Sequence, residues 1–263
     1  MSATTASRGR RLRRTADVLT VLTRSDLRVR YGRGRSRFLK WVLDPLAALG
    51  IYLLLVVLVL DEGTTATGLT LACAIVPFQL LLSSTVNAIS AVQLRTPIIL
   101  NMKFPRMLIP ISSVVTESVA FLATLLLLPL MMLAYAVEPT VAVLWLPLAL
   151  AATLALAVGL AYPSTLFGIW FPELGTFAVS FARAAFFLAP GLIALDQISG
   201  TTRDIMPFNP LTGLFESYRD ALLYGQAPAA WQLLVPFGVG AVVLTVSLPV
   251  YRREQARLAK LVG

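Results

Sequence analysis

The sequence has no histidine and a single cysteine, Cys73, which sits in the apolar run LTLACAIVPF. Those two shortages exclude Ser-His-Asp and Cys-His catalysis, His-based metal sites and any disulfide framework within the chain. Lysine is nearly absent as well: Lys40, Lys103 and Lys260 are followed by Trp, Phe and Leu. A phosphate-cradling loop of the G-x-x-x-x-G-K-[ST] type needs Ser or Thr in that place, so this chain carries no such ATP-binding motif. If ATP drives its work, hydrolysis comes from another chain. Charge of either sign is scarce, at 13% of 263 residues, where a soluble domain carries about a quarter. A cleavable leader is not expected either. The first apolar segment begins near residue 42, is about as long as a full span, and runs into DEGTTATG rather than an A-x-A-like site.

What fills the space is apolar: 57% of the residues are hydrophobic. A bilayer accepts that surface and demands only that backbone groups be paired internally, which makes helical spans the default. Crossing roughly 30 Å of hydrocarbon takes about 20 apolar residues. Six stretches qualify: Trp41 to Leu60, Leu69 to Val92, Met107 to Val137, Val141 to Phe171, Gly175 to Leu195, and Trp231 to Tyr251. The third and fourth exceed a span and contain Pro129, Pro147 and Pro163, so kinks are expected there.

The connections alternate in charge. Twelve basic residues precede Asp44, Asp61 and Glu62 follow span one, Arg95, Lys103 and Arg106 follow span two, and RREQARLAK follows span six. The positive-inside rule then predicts both termini and the loop 95–106 in the cytoplasm, and the loops near 62, 138 and 200 outside. The loop FPELG, 171–175, carries only Glu173 and does not contribute to the pattern. The organisation expected is a cytoplasmic basic tail with an interfacial helix over 1–40, a six-span membrane domain over 41–251, and a short basic cytoplasmic tail over 252–263.

The stretch RSDLRVRYGRGRSRFLKW, 24–41, resembles a nucleic-acid hook when read alone. Its position argues otherwise, because it ends at Trp41 where span one begins. Val18, Val21, Leu22 and Val29 fall on one face of a helix whose other face carries Arg24 and Arg28. That predicts an amphipathic helix in the cytoplasmic interface, attracted to anionic lipid by about 1 kcal/mol per basic residue. No nucleic-acid partner is expected for Arg33, Arg35 and Arg37, which continue this basic stretch.

Between spans five and six, 196–230 mixes charge, Pro207, Pro210 and helical apolar spacing in LTGLFESYRDALLYG. Asn209-Pro210 would start this amphipathic helix and Gly225 would end it. Too polar to cross, it is expected to be re-entrant or to lie on the outer surface. Two ionisable residues fall inside spans, Glu117 and Arg183, each about 16 Å from a cytoplasmic end if helical. Intramembrane charge is a functional candidate by default. A structural ion pair or snorkelling side chains, and an Arg183 that faces a conduit and meets a lipid phosphate, are both open. The many aromatics at span ends, among them Phe78, Trp145, Trp170, Phe171 and Phe186, are expected mostly as interfacial anchors.

Three stretches together resemble a known family. SDLRVRYGRGRSRFLKWVLDPLAALGIYLLL is similar to the opening of ABC-2 type exporter permeases of the O-antigen polysaccharide or teichoic acid subfamily, with Arg24, Asp26, Leu27, Arg30, Tyr31, Trp41, Asp44 and Pro45 in the matching places. IILNMKFPRMLIPISSVV, 98–115, is similar to that family's region after span two, and MPFNPLTGLFESYRDALLYG, 206–225, to the region before span six. Pro172-Glu173 replaces an Arg-Asp pair common in the family before span five.

The resemblance implies an all-α integral membrane protein with six transmembrane helices, an N-terminal interfacial helix and re-entrant extracytoplasmic helices. It implies a homodimer with two copies of an ATP-binding subunit, which hold ATP and Mg, in the bacterial plasma (inner) membrane. No cofactor would be bound by this chain. Arg95, Asn101, Lys103, Phe104, Pro105 and Arg106 would couple to the ATPase. Arg30, Arg33, Arg35, Arg37, Trp41 and Arg183 would stand at the substrate entrance or contact lipid phosphate, and Asn209, Pro210, Glu216, Tyr218 and Arg219 would form the outer gate. The substrate implied is a lipid-linked glycan; a permease for a small drug, peptide or glycolipid shares the fold and is the alternative. A membrane-embedded transferase would usually require clustered acids, and apart from Asp61-Glu62 the chain has none.

Overall fold

In the computed structural model, residues 15–28, 43, 47, 50, 51, 67–96, 104–192 and 194–255 are described. The expected first span, Trp41 to Leu60, therefore lies outside the described residues except at isolated positions. Every regular element among the described residues is helical: α1 over 15–28, α2 Thr67–Leu94, α3 Leu108–Leu125, α4 Leu127–Ala134, α5 Leu146–Trp170, α6 Gly175–Ala184, α7 Thr201–Ile205, α8 Pro210–Leu222 and α9 Ala230–Glu254.

Among the described residues, four helical stretches are long and apolar enough to cross a membrane: Gly68–Leu94, Leu108–Ala134, Val141–Trp170 and Ala230–Glu254. They match four of the six expected spans to within a few residues. The second is broken at Leu126 between α3 and α4. Pro129 lacks the N–H that would bond the Leu125 carbonyl four residues back, which explains the interruption. The third begins as a 3-10 turn over Val141–Trp145, with Thr140 accepting from the Ala142 N–H, and becomes α-helical just ahead of Pro147.

The expected fifth span differs. Its helix, α6, ends at Ala184 after ten residues, and hydrogen-bonded turns carry the chain on to Pro190. Proline at 190 supplies no N–H to continue a helix, and Phe186 turns inward to pack beside Gly191.

α2 is the centre of the bundle. It packs on α3, α4, α5, α6 and α8, and its buried face runs through Leu69, Ala72, Val76, Leu80 and Ala88. α5 packs on α2 and on α9. At the α5–α9 crossing, a Cβ on Gly240 would stand 2.8 Å from the Ala155 carbonyl oxygen, and one on Gly159 would collide with the Gly240 backbone. Small residues let two helix backbones approach closely where lipid supplies no hydrophobic drive.

Two ends of the bundle are distinguishable. At one, Arg106 donates from Nη1 to the Gln255 carbonyl (2.8 Å), Tyr251 donates to the Arg106 carbonyl (3.0 Å), and Tyr162 donates to the Met107 carbonyl (3.2 Å). At the other, Tyr135 covers Gly68 and Thr140 lies against Gly225. The helix α8 packs at this second end against α2, α9 and the 3-10 turn before α5.

Candidate functional site

The side chains of α2 show a feature that its apolar composition hides. Gln79, Ser83, Asn87 and Ser90 recur at spacings of four, four and three, so they lie on one face of the helix. All four line one cavity of about 420 Å³. The opposite wall comes from α3, through Thr116 and Glu117, and from α6, through Arg183. At 1.5 Å per residue the four polar positions cover about 16 Å along the helix.

Glu117 is 3% exposed, and Asn87 donates to its Oε1 from Nδ2 at 3.1 Å. Glu117, on a helix of spanning length, and Arg183, on the ten-residue α6, thus reach the same cavity. They differ in setting, because Glu117 is buried between α2 and α3 whereas Arg183 is exposed. An exposed guanidinium beside neutral amides and hydroxyls suits a ligand with an anionic group and many hydroxyls.

One edge of the cavity is closed by a charge cluster that joins three helices. Arg95, 2% exposed, is ion-paired to Asp26 of α1 through Nη2. Its Nη1 donates to the Ile109 carbonyl at 3.1 Å and to Ser113 Oγ at 3.4 Å, and Asp26 Oδ2 also accepts from Thr116 Oγ1 at 3.3 Å. Arg95 is consequently spent inside the fold, between α1, α2 and α3, rather than presented to a docking partner. Leu22 and Thr23 of α1 are buried while Ala16, Asp17, Thr20, Val21, Arg24 and Arg28 are exposed. The helix therefore has a packed face, and Val21 is not on it.

Of the remaining coupling candidates, Phe104 and Arg106 are half-buried and Pro105 is exposed. Arg106 caps the end of α9 through the Gln255 carbonyl. Asn101 and Lys103, and the entrance candidates Arg30, Arg33, Arg35, Arg37 and Trp41, lie outside the described residues.

The outer-gate candidates come together on α8. Asn209 caps the helix, accepting from the Leu211 N–H at 3.0 Å, and Pro210 takes the first position. The C-terminus closes with the Tyr224 N–H on the Arg219 carbonyl (3.0 Å), and Gly225 adopts φ +64 just beyond. Both ends therefore follow the sequence signals.

What differs is the polar face, which was expected at a surface and is buried. Arg219 is 0% exposed and donates to Glu216 Oε1 (2.6 Å) and to the carbonyls of Pro190 (2.9 Å), Gly191 (3.2 Å) and Thr70 (3.3 Å). Glu216 accepts in addition from the Leu195 N–H at 3.0 Å. The turns after α6 leave carbonyls without helical partners, and Arg219 satisfies those of Pro190 and Gly191 while also reaching the Thr70 carbonyl inside α2. Tyr218, also buried, shares a 3.3 Å hydrogen bond with Thr153. Asp220 holds Gln226 (2.8 Å) and Gln232 (2.7 Å).

Phe78, Phe186 and Phe215 pack ring against ring in this core, with centroids 5.0 to 6.4 Å apart, so Phe78 and Phe186 are not interfacial anchors. Trp145, Trp170 and Phe171 remain at 41 to 49% exposure near the helix ends. A second cavity of about 310 Å³ opens beside α8, with Asp196, Arg203 and Tyr224 at its rim. Burial and then the carboxylates of Asp196 and Glu216 push the Tyr224 phenol above its ordinary range, which keeps it neutral.

Apolar helices of spanning length are those of a multi-pass membrane protein, and the cavity among them combines a polar row with the apolar side chains of Leu82, Val86 and Leu94. Comparison with known proteins adds a likeness to one kind of membrane protein. The chain is 26% identical over 246 residues to two O-antigen export system permease proteins RfbA of Klebsiella pneumoniae, matching 93% of this chain and 95% of each relative. It is 25% identical over 242 residues to the O-antigen export system permease protein RfbA of Myxococcus xanthus, covering 90% of this chain and 93% of the relative. No protein-family model matches the chain. The likeness to O-antigen export permeases that three short motifs carried thus extends over nearly the whole sequence.

Sequence reasoning missed Gln79, Ser83, Asn87 and Ser90. Their helical spacing was the available signal, but it becomes meaningful only once Thr116, Glu117 and Arg183 are placed opposite.

Proposed function

We propose that this chain is the membrane-spanning permease subunit of an ATP-driven ABC exporter that moves a lipid-linked polysaccharide of the O-antigen type out of the cytoplasm. The observation that carries this reading is similarity to O-antigen export permeases along more than nine-tenths of both partners. It works with an ATP-binding subunit, since the chain has no P-loop of its own. That partner holds ATP and Mg, as a pair of copies beneath a permease homodimer in the inner membrane.

The end of the bundle carrying Arg106, Arg252 and Arg253 faces the cytoplasm, by the positive-inside rule. The segment 95–106 forms the coupling loop, with Asn101, Lys103, Phe104, Pro105 and Arg106 nearest the ATPase and Arg95 anchoring it in the bundle. Arg106 reaches the end of α9 and Arg95 reaches α1 and α3. A push on the loop is therefore felt at once by several helices. Arg183 serves as the cation for the lipid pyrophosphate, and the basic stretch holding Arg30, Arg33, Arg35, Arg37 and Trp41 gathers the carrier at the membrane surface. The segment 196–225 re-enters from the outer side and gates the exit, with α8 as its fixed wall.

Deleting the gene in its host tests the reading. Surface glycan is expected to disappear while lipid-linked precursor accumulates inside, and the intact chain supplied in trans should restore export. Unchanged surface glycan without precursor accumulation would count decisively against it.

A further inference from the structure

We infer that the row Gln79, Ser83, Asn87 and Ser90 on α2 is a hydroxyl-reading track, which binds the uncharged sugars that follow the lipid pyrophosphate; this rests on the export reading above. A spanning helix gains nothing from four polar side chains on one face unless they find partners, because an unpaired amide in an apolar setting is costly. Asn87 spends one donor on Glu117. Its remaining groups, with those of Gln79, Ser83 and Ser90, line the cavity, and all four residues are half-buried rather than packed away.

The chemistry is selective. Amides and hydroxyls both donate and accept, as sugar hydroxyls do. The row itself carries no charge to repel or trap a neutral polymer. Successive positions four residues apart rise by about 6 Å, a step comparable to one pyranose ring, so neighbouring rings of an extended glycan can meet neighbouring side chains. The exposed Arg183 lies on the facing wall. The other charges of the wall are held inside the fold, Arg95 by Asp26 and Glu117 by Asn87, so the cavity offers one exposed cation, Arg183, for an anionic linkage and a neutral row for what is attached to it. A track of this kind discriminates a sugar-bearing carrier from a bare one.

The experiment measures binding to the full complex of permease and ATP-binding subunit in lipid nanodiscs. Two probes are compared, a polyprenyl pyrophosphate carrying a neutral oligosaccharide and the same lipid without sugar. The wild type is expected to prefer the sugar-bearing probe by about tenfold, the equivalent of one or two net hydrogen bonds. The triple variant Gln79→Leu, Ser83→Ala, Ser90→Ala leaves the Asn87–Glu117 bond intact. It should bind both probes about equally, with affinity for the bare lipid changed less than about twofold.

Ser83→Thr and Ser90→Thr keep the hydroxyl and should keep the preference. A triple variant that retains the tenfold preference overturns the inference, as does loss of preference in the threonine variants, which would make the effect steric. Both results leave the export reading standing. That reading fails separately, if deletion of the gene leaves surface glycan unchanged.

Discussion

At the residue scale the chain invests its few charges in partners. Arg219 shows how completely: with no exposure it bonds one carboxylate and three backbone carbonyls from three parts of the chain. Removing it leaves Glu216 buried without its cation and takes the side-chain donor from the carbonyls of Pro190 and Gly191. Breaking a buried pair by deleting one partner costs about 3 to 5 kcal/mol. Arg219→Met is therefore expected to lower the midpoint of thermal unfolding of the purified protein in detergent sharply. Arg219→Lys should rescue little, because an ammonium cannot reproduce the planar fork that addresses these acceptors. Full rescue by lysine would show that charge alone matters at this position.

The sequence identified Arg219 as a gate residue but not as a buried one. A helical pattern with Glu216, Arg219 and Asp220 on one side reads as amphipathic whether that side meets water or unpaired carbonyls. Arg95 was misjudged for a similar reason. Its place after an apolar run suggests a loop cation, and only the approach of Asp26, 69 residues away in sequence, shows where the charge goes.

At the element scale the legible features are those set by length and composition. Gly68–Leu94, Leu108–Ala134, Val141–Trp170 and Ala230–Glu254 stand where apolar runs of spanning length predict them. The caps of α8 are equally readable, because Asn209, Pro210 and Gly225 act through local backbone chemistry. The early end of α6 was not, since Gly175 to Leu195 is apolar throughout most of its length and turns there are stabilised by a distant guanidinium.

Helix crossings are also hidden in sequence, as glycine in a span is common. Gly159 and Gly240 are the informative pair, since each would drive a Cβ into the other helix. Gly240→Leu is expected to separate α9 from α5 and to destabilise the fold, read as lost folded protein on size exclusion. Gly238→Leu on the same helix α9, where a Cβ would meet nothing within 4 Å, should be tolerated. Equal loss in both variants would trace the effect to helix α9 itself rather than to its crossing with α5.

At the scale of the whole molecule, the two bundle ends carry different charge. Arg106, Arg252 and Arg253 lie toward one, with Tyr251 donating to the Arg106 carbonyl. Glu138, Asp196, Asp204, Glu216 and Asp220 belong to the loops and short helices of the other. Cytoplasmic loops collect basic residues, so the first end should be inside. Glu173 next to the C-terminus of α5 and Glu254 at the end of α9 are discordant at the first end, as Arg203 and Arg219 are at the second, and their locations follow from the helix directions rather than from their signs.

The chain lends itself to a direct measurement, because Cys73 is its only cysteine and is fully buried. It behaves there as a small apolar side chain, so Cys73→Ala should give a folded background. Single cysteines replacing the exposed Glu138 and Gln226 are then expected to react with a membrane-impermeant maleimide in intact spheroplasts. Those replacing the exposed Glu173 and Arg253 should react only after permeabilisation. The opposite pattern would invert the molecule. It would put the segment 95–106, proposed to couple, out of a cytoplasmic ATPase's reach and α8 on the cytoplasmic side, and the proposed export could not proceed.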